Sequence, residues 1–185
     1  LSAWGSARVF WGRAGPAALD WWSCLGFRER VCVPTALSVA DALNTLGISY
    51  SHRDQWADAE SSLRRSVTIL RMSPPLPLLA AALNNLGIVL RGQGRKKAAE
   101  DSIRQAVSTW ELLLGPNHPN VASGLTNLAA SLEARRRYAE AARELDRARG
   151  IDQQNFPAEH PRIGIDLSRA GELAKSRKRY VEAED

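Results

Sequence analysis

The chain has two cysteines, three histidines and no apolar run long enough to cross a bilayer, and each shortage removes a class of function. Cys24 and Cys32 stand without metal-like Cys/His spacing, so free, partly buried thiols in a reducing compartment are expected and no disulfide framework is implied. The longest apolar stretch, Ala14 to Phe27, is interrupted by Asp20 and closed by Arg13 and Arg28. It is about 14 residues long, and a membrane span needs about 20. The positive start, apolar middle and small-residue cleavage site of a secretory leader do not occur in that order, and the chain opens on Leu1. A window from a longer cytoplasmic protein is therefore expected. His52 falls near a helix end, while His118 and His160 recur in a repeated connection, too far apart for one ion with ligands at about 2 Å. No Gly-x-Gly-x-x-Gly, phosphate-loop, Gly-x-Ser-x-Gly or His-Glu-x-x-His sequence is present, which leaves nucleotide, hydrolase and zinc-protease chemistry without starting residues. The expectation is a non-enzyme with no cofactor, no metal and no small-molecule substrate.

What is present suits a folded soluble chain: 185 residues, 44% apolar and 24% charged. The net charge of +5 comes mostly from arginine and leaves room for an acidic partner without requiring nucleic acid. Comparing the chain with itself is the most informative step. Leu43-Asn44-Thr45-Leu46-Gly47-Ile48 returns as Leu83-Asn84-Asn85-Leu86-Gly87-Ile88, 40 residues on, and Leu125-Thr126-Asn127-Leu128-Ala129 follows after 42 more. His118-Pro119 returns as His160-Pro161, and Arg137-Tyr138-Ala139-Glu140-Ala141 as Arg179-Tyr180-Val181-Glu182-Ala183, both at 42.

Each unit reads as two helices. The first carries an i, i+3, i+7 apolar stripe: Leu43, Leu46, Tyr50; Leu83, Leu86, Leu90; Leu125, Leu128, Leu132. The second carries Ala59, Leu63, Leu70; Ala99, Ile103, Trp110; Ala141, Leu145, Ala148, with Asp58, Glu60, Glu100, Asp101 and Glu140 expected in its first turn, at the positive end of the helix dipole. Proline-rich connections separate the units. Gly47, Gly87, Ala129 and Gly171 hold one register in the first helix, each 12 residues before Ala59, Ala99, Ala141 and Ala183. Glycine inside a helix costs up to about 1 kcal/mol, so its recurrence implies a close approach of two helices.

Leucine, then Gly or Ala, then Ala at these spacings resembles the tetratricopeptide repeat, and the longer unit with a Gly-Pro-Asn-His-Pro connection is similar to the repeats of the kinesin light chain group. HEAT, armadillo and WD40 units have comparable lengths. WD40 blades need short alternating strands, however, and HEAT units do not place Gly and Ala in this fixed pair. The resemblance implies an all-α, right-handed superhelical solenoid of antiparallel helix pairs. The expected units are 40–79, 80–121, 122–163 and a truncated 164–185, preceded by a degenerate first unit or cap over residues 1–39. That amino-terminal segment crowds Trp4, Trp11, Trp21 and Trp22 together, and either a cap on the stack or a start without repeat structure fits them.

Such arrays bind protein segments along the concave face lined by their first helices, where asparagines at this register hold a peptide backbone in the family resembled. Asn44, Asn84, Asn85, Thr126 and Asn127 occupy those positions, joined by Arg91 and Arg169 as partners for an acidic side chain or a chain terminus. Asparagine is a mediocre helix former, and its carboxamide both donates and accepts, so either a peptide groove or hydrogen bonding between helices explains it. The clusters Arg95-Lys96-Lys97, Arg135-Arg136-Arg137 and Arg177-Lys178-Arg179 suit first-helix ends, where carbonyls leave partial negative charge. The rival use is a basic edge for nucleic acid or an anionic surface, although no aromatic or glycine pattern of an RNA-reading module accompanies it.

Overall fold

The structure is a computed structural model that describes residues 36–184, with side chains through Lys178. The expected first unit over residues 1–39, with both cysteines and four of the tryptophans, lies almost wholly outside the described residues. Seven helices and no strand follow in the described part: α1 Ala36–Ser51, α2 Trp56–Arg71, α3 Pro77–Gly92, α4 Lys96–Leu114, α5 Pro119–Ala134, α6 Tyr138–Asn155 and α7 Pro161–Glu184. None is long and apolar enough to cross a membrane.

Local chemistry places the boundaries. Pro77, Pro119 and Pro161 each open a helix, where the missing N–H is unneeded and φ is already helical. His118 and His160 take the position before proline, which is biased to extended backbone. Their Nδ1 atoms accept from the backbone N–H of Asn120 at 3.1 Å and of Arg162 at 3.3 Å, capping the next helix. Within each pair the turn passes through one left-handed residue, Asp54, Gly94 or Arg136, with φ of 57°, 77° and 62°. The equivalent position in the last unit is Lys178, and there the chain stays helical. The expected turn before Tyr180 is absent, and the helix runs unbroken to Glu184. One side of α6 and α7 forms an open groove of about 570 Å³, lined by Tyr138, Ala142, Leu145, Leu173 and Arg177 among others.

The recurring small residues mark contacts within pairs. A methyl at Gly47 would lie 2.5 Å from Leu63 Cγ, and one at Gly87 would collide with Ile103 and come within 3.0 Å of the Ala99 carbonyl. Gly171 has nothing within 4 Å, because no second helix folds against α7. The stripes of α3 and α5 are buried as expected, with Leu83, Leu86, Leu90, Leu125, Leu128 and Leu132 all in the core. Leu46 is 42% exposed and Leu167 56% exposed, so the same pattern buries less on α1 and α7 than in the middle of the array. The acidic first turn is also only partly realised. Asp58 and Glu140 are in first turns, whereas α4 starts at Lys96 with no acid in its first turn, and Glu60 and Glu100 sit a turn further in.

Candidate functional site

Successive first helices pack on each other, α1 on α3 and α3 on α5, and short side chains span the gaps. Asn85 Nδ2 donates to Asn44 Oδ1 at 3.0 Å, and Asn127 Nδ2 donates to Asn84 Oδ1 at 3.0 Å. Second helices are bridged only by long ones: Arg71 Nη2 donates to Gln105 Oε1 at 3.0 Å, and Arg147 pairs with Glu111 at 2.5 Å. Short rungs on one side and long ones on the other put the first helices on the inner side of the array.

Each expected groove residue can now be placed. Asn44 and Asn84 are buried and hold their rungs, while Asn85 and Asn127 are half-buried. The Thr126 hydroxyl donates along its own helix to Ala122 O at 3.0 Å. Arg91, half-buried, donates from Nη1 to the Asn127 carbonyl at 3.3 Å, and Arg169 is exposed with Glu172 3.5 Å away. Desolvation lowers the Arg91 pKa, the like charge of Arg169 lowers it further, and Glu133 opposes them. The inner side therefore carries two arginines close enough to repel, one of them partly stripped of water.

Arg95, Arg135 and Arg137 of the first two basic clusters are tied down by acids expected only at helix starts. Glu60 receives Arg64 and Arg95, both at 2.7 Å. Glu100, buried on α4, receives Arg104 at 3.0 Å, Arg137 at 2.8 Å and also Arg135. Burial raises the Glu100 carboxyl, but hydrogen bonds from Arg104 and Arg135 and the field of Arg137 outweigh it and hold the group below the ordinary carboxylate range. Arg137 also pairs with Glu140 at 2.5 Å. Glu60 and Glu100 share one register, 40 residues apart like Ala59 and Ala99, which is the sequence signal for this device.

Helix pairs stacked in one direction, with an inner row of polar residues and an outer row of ion pairs, define a helical-repeat solenoid. The tetratricopeptide repeat model matches residues 38–111 and 78–154, together more than half of the chain, which therefore belongs to the tetratricopeptide repeat family. Members of this family are in general scaffolds for protein–protein interaction, typically without enzymatic activity of their own. No curated protein matches the chain. Among solved structures, it is similar to a Podosopora anserina protein described as a kinesin light chain with nearly identical TPR-like repeats. That match has a TM-score of 0.71 and 19% identity over 82% of this chain and 72% of that one. BtubC (BKLC) from P. vanneervenii gives a TM-score of 0.72 and 18% identity over 90% of this chain and 66% of that one. At these identities the likeness concerns the fold.

Proposed function

We propose that the array is a protein-interaction scaffold that holds a partner segment against its inner side, with Arg91 and Arg169 receiving a carboxylate. The supporting observation is the half-buried Arg91 guanidinium: its hydrogen bond goes to the Asn127 carbonyl, and the like charge of Arg169 on α7 acts on it against that of Glu133. A carboxylate between the two would relieve repulsion and accept charge-assisted hydrogen bonds. Asn85, Asn127 and Thr126 border the same surface, and carboxamide atoms not used in the rungs remain for a peptide backbone.

Selection of random peptides displayed on phage tests this reading, comparing the parent with Arg91→Gln/Arg169→Gln. Enriched peptides should share an acidic side chain or free carboxyl terminus and bind the double variant roughly ten- to a hundredfold more weakly. The variant's melting temperature should be unchanged. Arg177→Gln on the outer edge should leave capture intact. Binding that ignores both arginines but collapses with salt and with loss of Arg177 would overturn the groove in favour of an electrostatic edge.

A further inference from the structure

The junction between one unit and the next repeats a pair of buried positions. Leu70 on α2 and Ala82 on α3 occupy it first, then Trp110 on α4 and Gly124 on α5. In the second junction the fit is tight, since a methyl at Gly124 would lie 3.1 Å from Trp110 Cζ3. At the third junction the same register holds Asp152 on α6 and Asp166 on α7, 1% and 5% exposed. Two carboxyls thus stand where the fold elsewhere places a large and a small apolar residue. Packing does not call for them, and burying an unpaired carboxylate opposes folding.

Their partners do not satisfy them. Arg162 donates from Nε to Asp152 Oδ2 at 3.0 Å, but its Nη2 is spent on the Pro119 carbonyl at 3.1 Å and Ser123 Oγ at 2.9 Å, and its guanidinium lies over the Phe156 ring. Asp152 Oδ1 and Asp166 Oδ2 are buried without a hydrogen-bond partner. Both residues line an open cavity of about 240 Å³ shared with Ser123, Thr126, Asn127, Ile165 and the Arg162 already engaged by Asp152. The cavity exists where a third rung would fall: Asn44–Asn85 and Asn84–Asn127 are followed in register by Thr126 and Arg169, whose hydroxyl and guanidinium bond elsewhere.

We propose that this cavity seats the ammonium of a lysine side chain of the partner segment, held between Asp152 Oδ1 and Asp166 Oδ2. The proposal rests on the groove reading above, because Thr126 and Asn127 belong to both surfaces. Arg162 pairs with Asp152; Ser123, Thr126 and Asn127 of α5 line the cavity with neutral groups; and Asp166 is the second carboxyl, with Arg149 the further cation acting on it. Burial raises the Asp166 pKa, the charge of Asp152 and a hydrogen bond between the two carboxyls add to the rise, and Arg162 and Arg149 oppose it. An ammonium brings three donors around a point charge, matching two carboxyl oxygens and an acceptor on α5. A divalent metal is a poorer match: hard cations take six or more oxygens, and no cluster of three or more His, Cys, Asp or Glu side chains able to hold one occurs among the described residues.

The test titrates the 185-residue chain with acetyl-Gly-Gly-Lys-Gly-Gly-amide, its norleucine counterpart and butylammonium, following the 13C carboxyl signals of Asp152 and Asp166. The lysine peptide should move both signals. The norleucine peptide should leave the signals still. Asp166→Asn should weaken lysine binding at neutral pH roughly tenfold or more. Asp152→Leu/Asp166→Ala, which restores the residues of the first junction, should fold at least as stably and lose the response. Equal binding of lysine and norleucine peptides, an unresponsive carboxyl pair, or butylammonium binding as tightly as the peptide would overturn the proposal. Peptides captured through Arg91 whether or not they carry lysine would retain the groove and remove this site. Lysine binding at the aspartates that leaves Thr126 and Asn127 amide signals unmoved would retain the cation site and remove the groove.

Discussion

Asn127 donates through Nδ2 to Asn84 Oδ1 at 3.0 Å, joining α5 to α3 as Asn85 joins α3 to α1. The asparagines that read as peptide contacts thus hold the array together as well. Asn84 is 8% exposed, so its loss strands the Asn127 amide at the junction. Asn84→Ala should lower stability by about 1–3 kcal/mol, and Asn84→Ala/Asn127→Ala should cost less than the sum of the two single changes, because the second removes a partner already unpaired. Urea denaturation of the four proteins checks this, and strictly additive losses would show that the rung carries no coupling.

Gly87 and Gly171 occupy one register but opposite surroundings. Gly87→Ala should destabilise by about 1–3 kcal/mol, since the new methyl meets Ile103 and the backbone of α4. Gly171→Ala, where an added methyl would meet nothing within 4 Å, should be neutral or stabilise by up to about 1 kcal/mol. Opposite shifts in thermal melting would separate packing from helix propensity, whereas equal shifts would refute the contact assigned to Gly87.

Glu100 gathers three arginines while buried, and its folded pKa lies below its ordinary value of 4.5. A depressed carboxylate stabilises the fold above its unfolded pKa, and that contribution is lost as pH falls from about 4.5 through the lower folded value. Glu100→Gln should cost about 1–3 kcal/mol at neutral pH and flatten the acid limb of the stability curve. A variant whose stability follows the parent's across that limb would mean that the cluster is energetically idle.

Much of the scaffold was legible because close packing writes itself into residue type. Gly47 and Gly87 meet large side chains of the paired helix, and Pro77, Pro119 and Pro161 start helices, since steric rules leave few alternatives. Position 171 shows the limit of that logic. Glycine there keeps the register, but the contact depends on a helix that does not fold back. The inner polar row was half legible. A carboxamide at a fixed register announces hydrogen bonding without saying whether the partner is a peptide or the next helix, and the rungs show that much of that capacity is internal. Glu60 and Glu100 were read as dipole partners because their distance from the helix start differs by only a turn from the position that role requires. Asp152 and Asp166 were invisible to periodicity, since the signal lies in departing from an apolar register rather than in repeating one.

The unequal rungs give the array a mechanical character. The carboxamide rungs Asn44–Asn85 and Asn84–Asn127 reach only one hydrogen bond length and tie α1, α3 and α5 closely, so that stretch of the inner row is the stiffer seam. The outer row is joined by side chains with several rotatable bonds, Arg71 to Gln105 and Arg147 to Glu111, and the second of these is an ion pair that weakens with ionic strength. Bending therefore resolves into opening and closing the outer row about a fixed inner line. A segment lying along that line would meet nearly constant spacing while the opposite side breathes.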